Sequence, residues 1–276
     1  MHSHRVVTGC VSLLLLPVLV CAQEAVTPAE TIHLFNGKDL SNFYTWLVNT
    51  KYQDPDRVFS VVEAIDGVPA IRISGQRWGT LATKREYANY RLIMEYRWGV
   101  LTWAQRKNGV RDSGILLHGQ GRDGNSKADF NGPWMRSIEC QVGEGIVGDF
   151  IVVGGFEEDG QRLVPKLTVK VRKAPSGELF YDPDGVEREV GRVAWSGRDP
   201  DWEDILGFRG RNDVESPWNR WTKLEVICEG DSITHIVNGK IVNVGTRSSL
   251  TRGKILIQSE GAEMYLRRFD LEPVTR

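Results

Sequence analysis

Eight polar side chains stand out because they alternate with apolar ones and so share a face. In Ser137–Val142 the residues Ile138, Cys140 and Val142 fall on one side and Glu139 and Gln141 on the other. Side chains along a strand alternate between faces, so Glu139 and Gln141 are expected to leave the core together. The same parity sets Gln258 and Glu260 opposite Ile255 and Ile257, and Asp112 and His118 opposite Ile115 and Leu117. It also sets Glu95 and Arg97 opposite Leu92, Met94, Tyr96 and Trp98. Carboxyl, amide, imidazole and guanidinium groups gathered on one open face suit acid–base chemistry on a ligand rich in hydroxyls. Glu139 and His118 are the candidate bases, Arg97 the candidate cation and Glu260 a further acid. Glu95, Gln141, Gln258, Asp149 and Trp134 are candidate contacts for the ligand.

Each residue has a plainer reading. His118 precedes the turn Gly119-Gln120-Gly121, and Glu260 could cap a turn with Ser259 and Gly261. Asp149 follows Gly148 at a turn, Glu95 and Arg97 could simply pair, and Trp134 could belong to the core. A surface pair of that kind is worth only about 0–1 kcal/mol.

The elements that must position these groups are strands. Asp66-Gly67 lies between Val58–Val62 and Ala70–Ile73, and Asn238-Gly239 lies between two further apolar runs. Both dipeptides tolerate the positive φ that a tight hairpin turn demands. Gly114–His118, Lys166–Val171, Thr222–Cys228, Lys254–Ser259 and Met264–Leu271 read as further strands, and only Pro200–Phe208 suggests a short helix. The fold class is therefore all-β, a single antiparallel sandwich. Residues 154–217, rich in Gly and charged residues, read as a long loop-rich insertion with one hairpin.

The composition is that of a folded globular chain, with 41% hydrophobic and 26% charged residues among 276. Lys and Arg number 35 against 36 Asp and Glu, so no basic excess exists to neutralise phosphates, and nucleic acid is not an expected partner. Residues 1–22 read as a signal peptide: Arg5, then an apolar run from Val11 to Val20, then Val20-Cys21-Ala22 at the cleavage positions. That run of about ten residues falls short of the roughly 20 a bilayer span needs, so no stable membrane insertion is expected. A periplasmic or extracellular protein cleaved after Ala22 follows, with residues 23–30 as a connector and 31–274 as the domain. A lipid anchor on Cys21 is the rival. Cleavage leaves Cys140 and Cys228, either bridged or both free, and His33, His118 and His235 as the remaining histidines. So few histidines leave room for at most one divalent cation, held by carboxylates with His118 as a further ligand.

Several short motifs occur together and in order: Leu34-Phe35-Asn36-Gly37-Lys38-Asp39-Leu40, Asp112-Ser113-Gly114-Ile115-Leu116-Leu117-His118, Ser137-Ile138-Glu139-Cys140-Gln141, Trp218-Asn219-Arg220-Trp221 and Gln258-Ser259-Glu260-Gly261. With these the chain resembles, over Ile32–Pro273, the 3-keto-disaccharide hydrolase family. That family was formerly called domain of unknown function 1080, and is also described as 3-keto-glucoside 1,2-lyase/2-hydroxyglucal hydratase. Many relatives carry Arg where this chain has His118. The resemblance implies a concanavalin A-like lectin/glucanase sandwich (a jelly roll), export, and a 3-keto-glycoside as substrate. It implies elimination assisted by a C3 ketone, for which one base, one acid and one cation suffice. A conventional retaining glycosidase needs two carboxyls about 5–5.5 Å apart, and the alternating partner of Glu139 is an amide. A lectin-like binding module using the same cleft is the other alternative.

Overall fold

The computed structural model describes residues 24–274. Two antiparallel sheets face each other. The larger runs, edge to edge, through Leu179–Tyr181, Thr168–Lys173, Lys240–Thr246, Ser232–Val237, Thr222–Glu229, Tyr90–Thr102, Ala262–Pro273, Val68–Ile73 and Phe59–Ile65. Ile32–His33 and Val186–Glu189 add to it off this path. The smaller sheet runs Arg192–Val193, Phe150–Val153, Arg136–Gly143, Asp112–Gln120, Lys254–Ser259, Gly79–Thr83 and Phe43–Leu47. This is the expected all-β antiparallel sandwich. Among the described residues there is no α-helix, and one 3₁₀ turn, Ala104–Arg106. Pro200–Phe208 is turns, not a helix.

Alternation built the core as expected. Ile115, Leu117, Ile138, Cys140, Val142, Ile255 and Ile257 of the smaller sheet point inward and are fully buried. They meet Leu92, Met94, Tyr96, Leu224, Val226, Cys228, Met264 and Leu266 of the larger sheet. Burying a large apolar side chain is worth about 1.5–3 kcal/mol, so this interface dominates stability. Cys140 and Cys228 are free buried thiols on opposite sheets. Both hairpin signals hold: Asp66 and Gly67 have φ of 53° and 84°, Asn238 and Gly239 47° and 83°. A second, small cluster of Ala82, Leu116, Met135 and Leu256 lies apart from that core. The 121–135 segment is tied down beside it: Trp46 Nε1 donates to Gly132 O at 3.0 Å and Tyr44 Oη to Asp123 Oδ1 at 2.7 Å.

The insertion is more ordered than its composition suggested. Thr168–Lys173, Leu179–Tyr181 and Val186–Glu189 extend the larger sheet, and Arg192–Val193 crosses to become the edge of the smaller one. Polar strands survive here because an edge needs only one buried face and ladder hydrogen bonds, not a continuous apolar run.

Candidate functional site

A cavity of about 450 Å³ opens on the outer face of the smaller sheet. Its polar wall is Arg106, Asp112, Glu139, Gln141, Gln258 and Glu260, and its apolar wall is Trp134, Ile146, Ile151, Val152, Val153 and Trp202, with Arg192 beside them. Register explains the polar wall. Glu139 lies opposite Leu116 on one side and Ile151 on the other, and Ile151 lies opposite Arg192. Gly114, opposite Gln141, separates the Glu139 strand from the Gln258 strand. A Cβ on Gly114 would come within 2.3 Å of Glu139 Oε1 and 2.5 Å of Gln258 Oε1. Glycine leaves room for two polar side chains to meet over its backbone, and a larger residue would displace them.

The three carboxyls do not share one environment. Asp112 is bonded through one oxygen to Arg106 and through the other to the Gln141 amide. Burial lifts its pKa to about 6, with Arg106 pulling the other way. Burial, and then the negative charge of Asp112, lift Glu260 to about 8, although Arg106 stands 3.6 Å away. Glu139 is pushed well above the carboxyl range by burial and by the charges of Glu260 and Asp112. Asp112 is therefore the carboxyl of the three that gives up its proton most readily, while Glu139 and Glu260 hold theirs to higher pH.

Arg106 is held by the loop that follows Tyr90–Thr102. Trp103 N donates to Gly261 O at 2.7 Å, and Trp103 Nε1 to Ser74 O at 2.8 Å. This docks the Ala104–Arg106 turn against the Glu260-Gly261 corner. Arg192 belongs to the insertion and lies 3.6 Å from Asp149. Trp134 packs on Trp78 with ring centroids 5.8 Å apart, and Trp202 donates from Nε1 to Glu144 O at 3.0 Å. Among the described residues no three His, Cys, Asp or Glu side chains are grouped to hold a metal ion.

Five of the nine singled-out residues line this cavity: Glu139, Gln141, Gln258, Glu260 and Trp134. The other four do not. His118 is fully buried, its Nδ1 3.0 Å from Leu250 O and its ring edge-on to Tyr90 of the opposite sheet. The register shifts between Leu117 and Gln120, and His118 takes φ 55°. That bulge residue reverses the alternation and turns the imidazole inward, where burial lowers its pKa to about 4. Glu95 and Arg97 leave the core as expected, but from the larger sheet. Glu95 pairs with Arg267 at 2.5 Å, and Arg97 pairs with Asp66 at 3.0 Å. Asp149 is fully buried and does not line the cavity, accepting from Trp195 N at 2.9 Å and Arg198 Nη1 at 3.0 Å. The turn at Gly148, φ 91°, takes it out of the strand pattern.

Parity had placed Asp112 on the right face without marking it as a site residue. Arg106, Arg192 and Trp202 carry no sequence signal of their place, because loops and a two-residue edge strand have no periodicity to read.

Structural relatives are distant. Two proteins of Parabacteroides distasonis described as candidate glycosyl hydrolases match with 17% and 15% identity and TM-scores of 0.46 and 0.48. Each match covers 89% of this chain, and 100% and 94% of those chains. The carbohydrate-binding module CBM66 of Bacillus subtilis matches with 12% identity and a TM-score of 0.42, over 84% of this chain and 95% of its own. No curated protein matches the chain significantly. Residues 30–272 match the model of the 3-keto-alpha-glucoside-1,2-lyase-like domain, and the chain belongs to this family of carbohydrate-active domains.

Proposed function

We propose that the domain is an enzyme that cleaves 3-keto-glycosides by elimination, with water adding back to the product. The observation that carries this reading is the meeting of Asp112, Glu139, Glu260 and Arg106 in one cavity with the carboxyl proton affinities pulled apart. Carboxyls driven apart in this way divide into a base and acids. A ketone at C3 acidifies the C2 hydrogen. Ionised Asp112 takes that proton, and the C2–H electrons form the enolate with charge on the C3 oxygen. Arg106 and the neutral Glu260 face that oxygen. The enolate then collapses, the C1–O bond breaks, and neutral Glu139 protonates the departing oxygen. The products are an alcohol and a 3-keto-2-hydroxyglucal, which takes up water at C1 to give the 3-keto sugar. Glu139 thus acts here as the acid, because burial keeps it protonated, and the basic role falls to Asp112. A carboxylate-bound divalent ion would supply the same stabilisation of the enolate as Arg106.

Carbohydrate binding without turnover would use Trp134, Trp202 and the two amides, and would have no use for three buried carboxyls, whose desolvation is costly. We place the protein outside the cytoplasm. The leader read at residues 1–22 lies outside the described residues, and no described helix is long and apolar enough to cross a membrane. The test is incubation with 3-keto-trehalose, 3-keto-glucosides and the unoxidised sugars, with detection of the released alcohol and keto sugar. Release from the keto sugars alone supports elimination. Release from unoxidised sugars points to conventional hydrolysis, and binding without release points to a lectin.

A further inference from the structure

A second cavity, of about 480 Å³, shares no lining residue with the carboxyl site. Four cations line it, Lys84, Arg85, Arg252 and Lys254, together with the acids Glu24 and Glu86. Its walls are fixed by main chain. Val26 N donates to Glu86 O at 2.8 Å and Ala88 N to Val26 O at 3.0 Å, clipping the N-terminal arm beside residues 84–87. Tyr87 and Gly253 exchange two further bonds of 2.8 and 3.1 Å, and Gln120 Nε2 donates to Arg252 O at 2.9 Å. Rigid backbone therefore aims the cationic side chains into one space.

Among the described residues none of the four pairs with a carboxylate within 4.0 Å, and neither Glu24 nor Glu86 pairs with a cation. Lys254 instead places its ammonium over the Tyr44 ring, 4.5 Å from its centroid, and donates to Tyr44 Oη at 2.7 Å. This contrasts with the carboxyl site, where Arg106 is committed to Asp112 and Glu260. The chain as a whole has a net charge of −1, whereas the four cations and two acids of this cavity leave it a local excess of two positive charges. Like charges crowded together repel, and an anion that neutralises them relieves that cost. Arg85 and Arg252 offer forked donors that match planar carboxylate and tetrahedral sulfate, while Lys84 and Lys254 act as point charges.

We propose that this cavity is an anion-binding subsite for an acidic polysaccharide, one bearing carboxylate or sulfate groups. Lys254 and Gln258 occupy the same strand four residues apart, and strands rise about 3.3 Å per residue. The subsite therefore stands roughly 13 Å from the carboxyl cavity, with Leu256 and its small apolar cluster between. An acidic chain held there keeps the domain on its polymer while the carboxyl cavity takes a separate, neutral ligand.

The test is calorimetric titration of the intact protein with heparin and with polygalacturonate, against neutral dextran and phosphatidylglycerol vesicles. The comparison variant is Arg85→Ser/Arg252→Ser, whose altered side chains are exposed, so its melting temperature should be unchanged. Expected are binding of the two acidic glycans but not of dextran, weakening of roughly tenfold in the double variant, and loss of binding near 1 M salt, where charges are screened within about 3 Å. No glycan binding, equal binding by the double variant, or binding to the vesicles in place of the glycans would overturn the proposal. Turnover is not measured, so the result does not depend on the reaction assigned to the carboxyl site.

Discussion

Replacing Glu260 by Gln should make the protein more stable in alkaline solution, and the size of the effect follows from the site. Burial and the neighbouring Asp112 raise the Glu260 carboxyl from its ordinary 4.5 to about 8. A group that binds its proton more tightly when folded contributes stability that is complete below the unfolded pKa. That stability is lost as pH rises through the folded one. Between pH 4.5 and 8 the native state therefore holds a proton that the unfolded chain has released, and stability falls by up to about 1.4 kcal/mol per pH unit. Over that interval the ceiling is about 5 kcal/mol, shared with Asp112 because the two titrate together. Glutamine keeps the shape and an oxygen for Arg106 but carries no proton to lose. Melting curves of the native protein and Glu260→Gln should coincide near pH 4.5 and diverge above it. By pH 9 the variant should melt roughly 10 °C higher, since 1 kcal/mol is worth about 2–4 °C in a domain of this size. Parallel curves from pH 5 to 9 would refute the assignment of Glu260 as a neutral carboxyl.

Four further outcomes are expected. Glu139→Gln should lower turnover of a 3-keto-glycoside by about 10²–10⁴-fold while the far-ultraviolet spectrum stays that of the native sheet; undiminished turnover removes Glu139 from the mechanism. The pH dependence of kcat/KM should be a bell, rising near pH 6 as Asp112 ionises and falling near pH 8 as Glu260 loses its proton. His118→Ala should lower the melting temperature by opening a cavity beside Tyr90, with kcat of the folded fraction retained; a selective loss of kcat would return the imidazole to the chemistry. Turnover should survive EDTA while Arg106→Met loses it; loss in EDTA would give the enolate to a carboxylate-bound ion.

How much could be read from the chain depended on how regular each element is. Arg136–Gly143 keeps alternation around the cavity, and Lys254–Ser259 keeps it from Leu256 onward, so Glu139, Gln141 and Gln258 fall where parity puts them. Asp112–Gln120 does so only as far as Leu117, and one bulged residue moved His118 across the sheet. Glu95 and Arg97 show a different limit: parity separates inside from outside, but it does not say which of two sheets an outward residue belongs to. Arg106, Arg192 and Trp202 reach the cavity through a turn, an edge and a loop, whose positions are fixed by distant contacts such as Trp103 N to Gly261 O.

The place of Lys254–Ser259 in the smaller sheet has a consequence for how the molecule comes into being. This late segment is inserted between Asp112–Gln120 and Gly79–Thr83, strands that precede it by more than a hundred residues. Until it has been synthesised and threaded into that gap, the sheet is split in two with unpaired edges, and neither Gln258 nor Glu260 stands near Glu139. Pairing over such sequence distances is slow, because loop closure comes before any contact rewards it. A chain in which this segment has not yet paired therefore has an incomplete carboxyl cavity and is prone to edge-to-edge association.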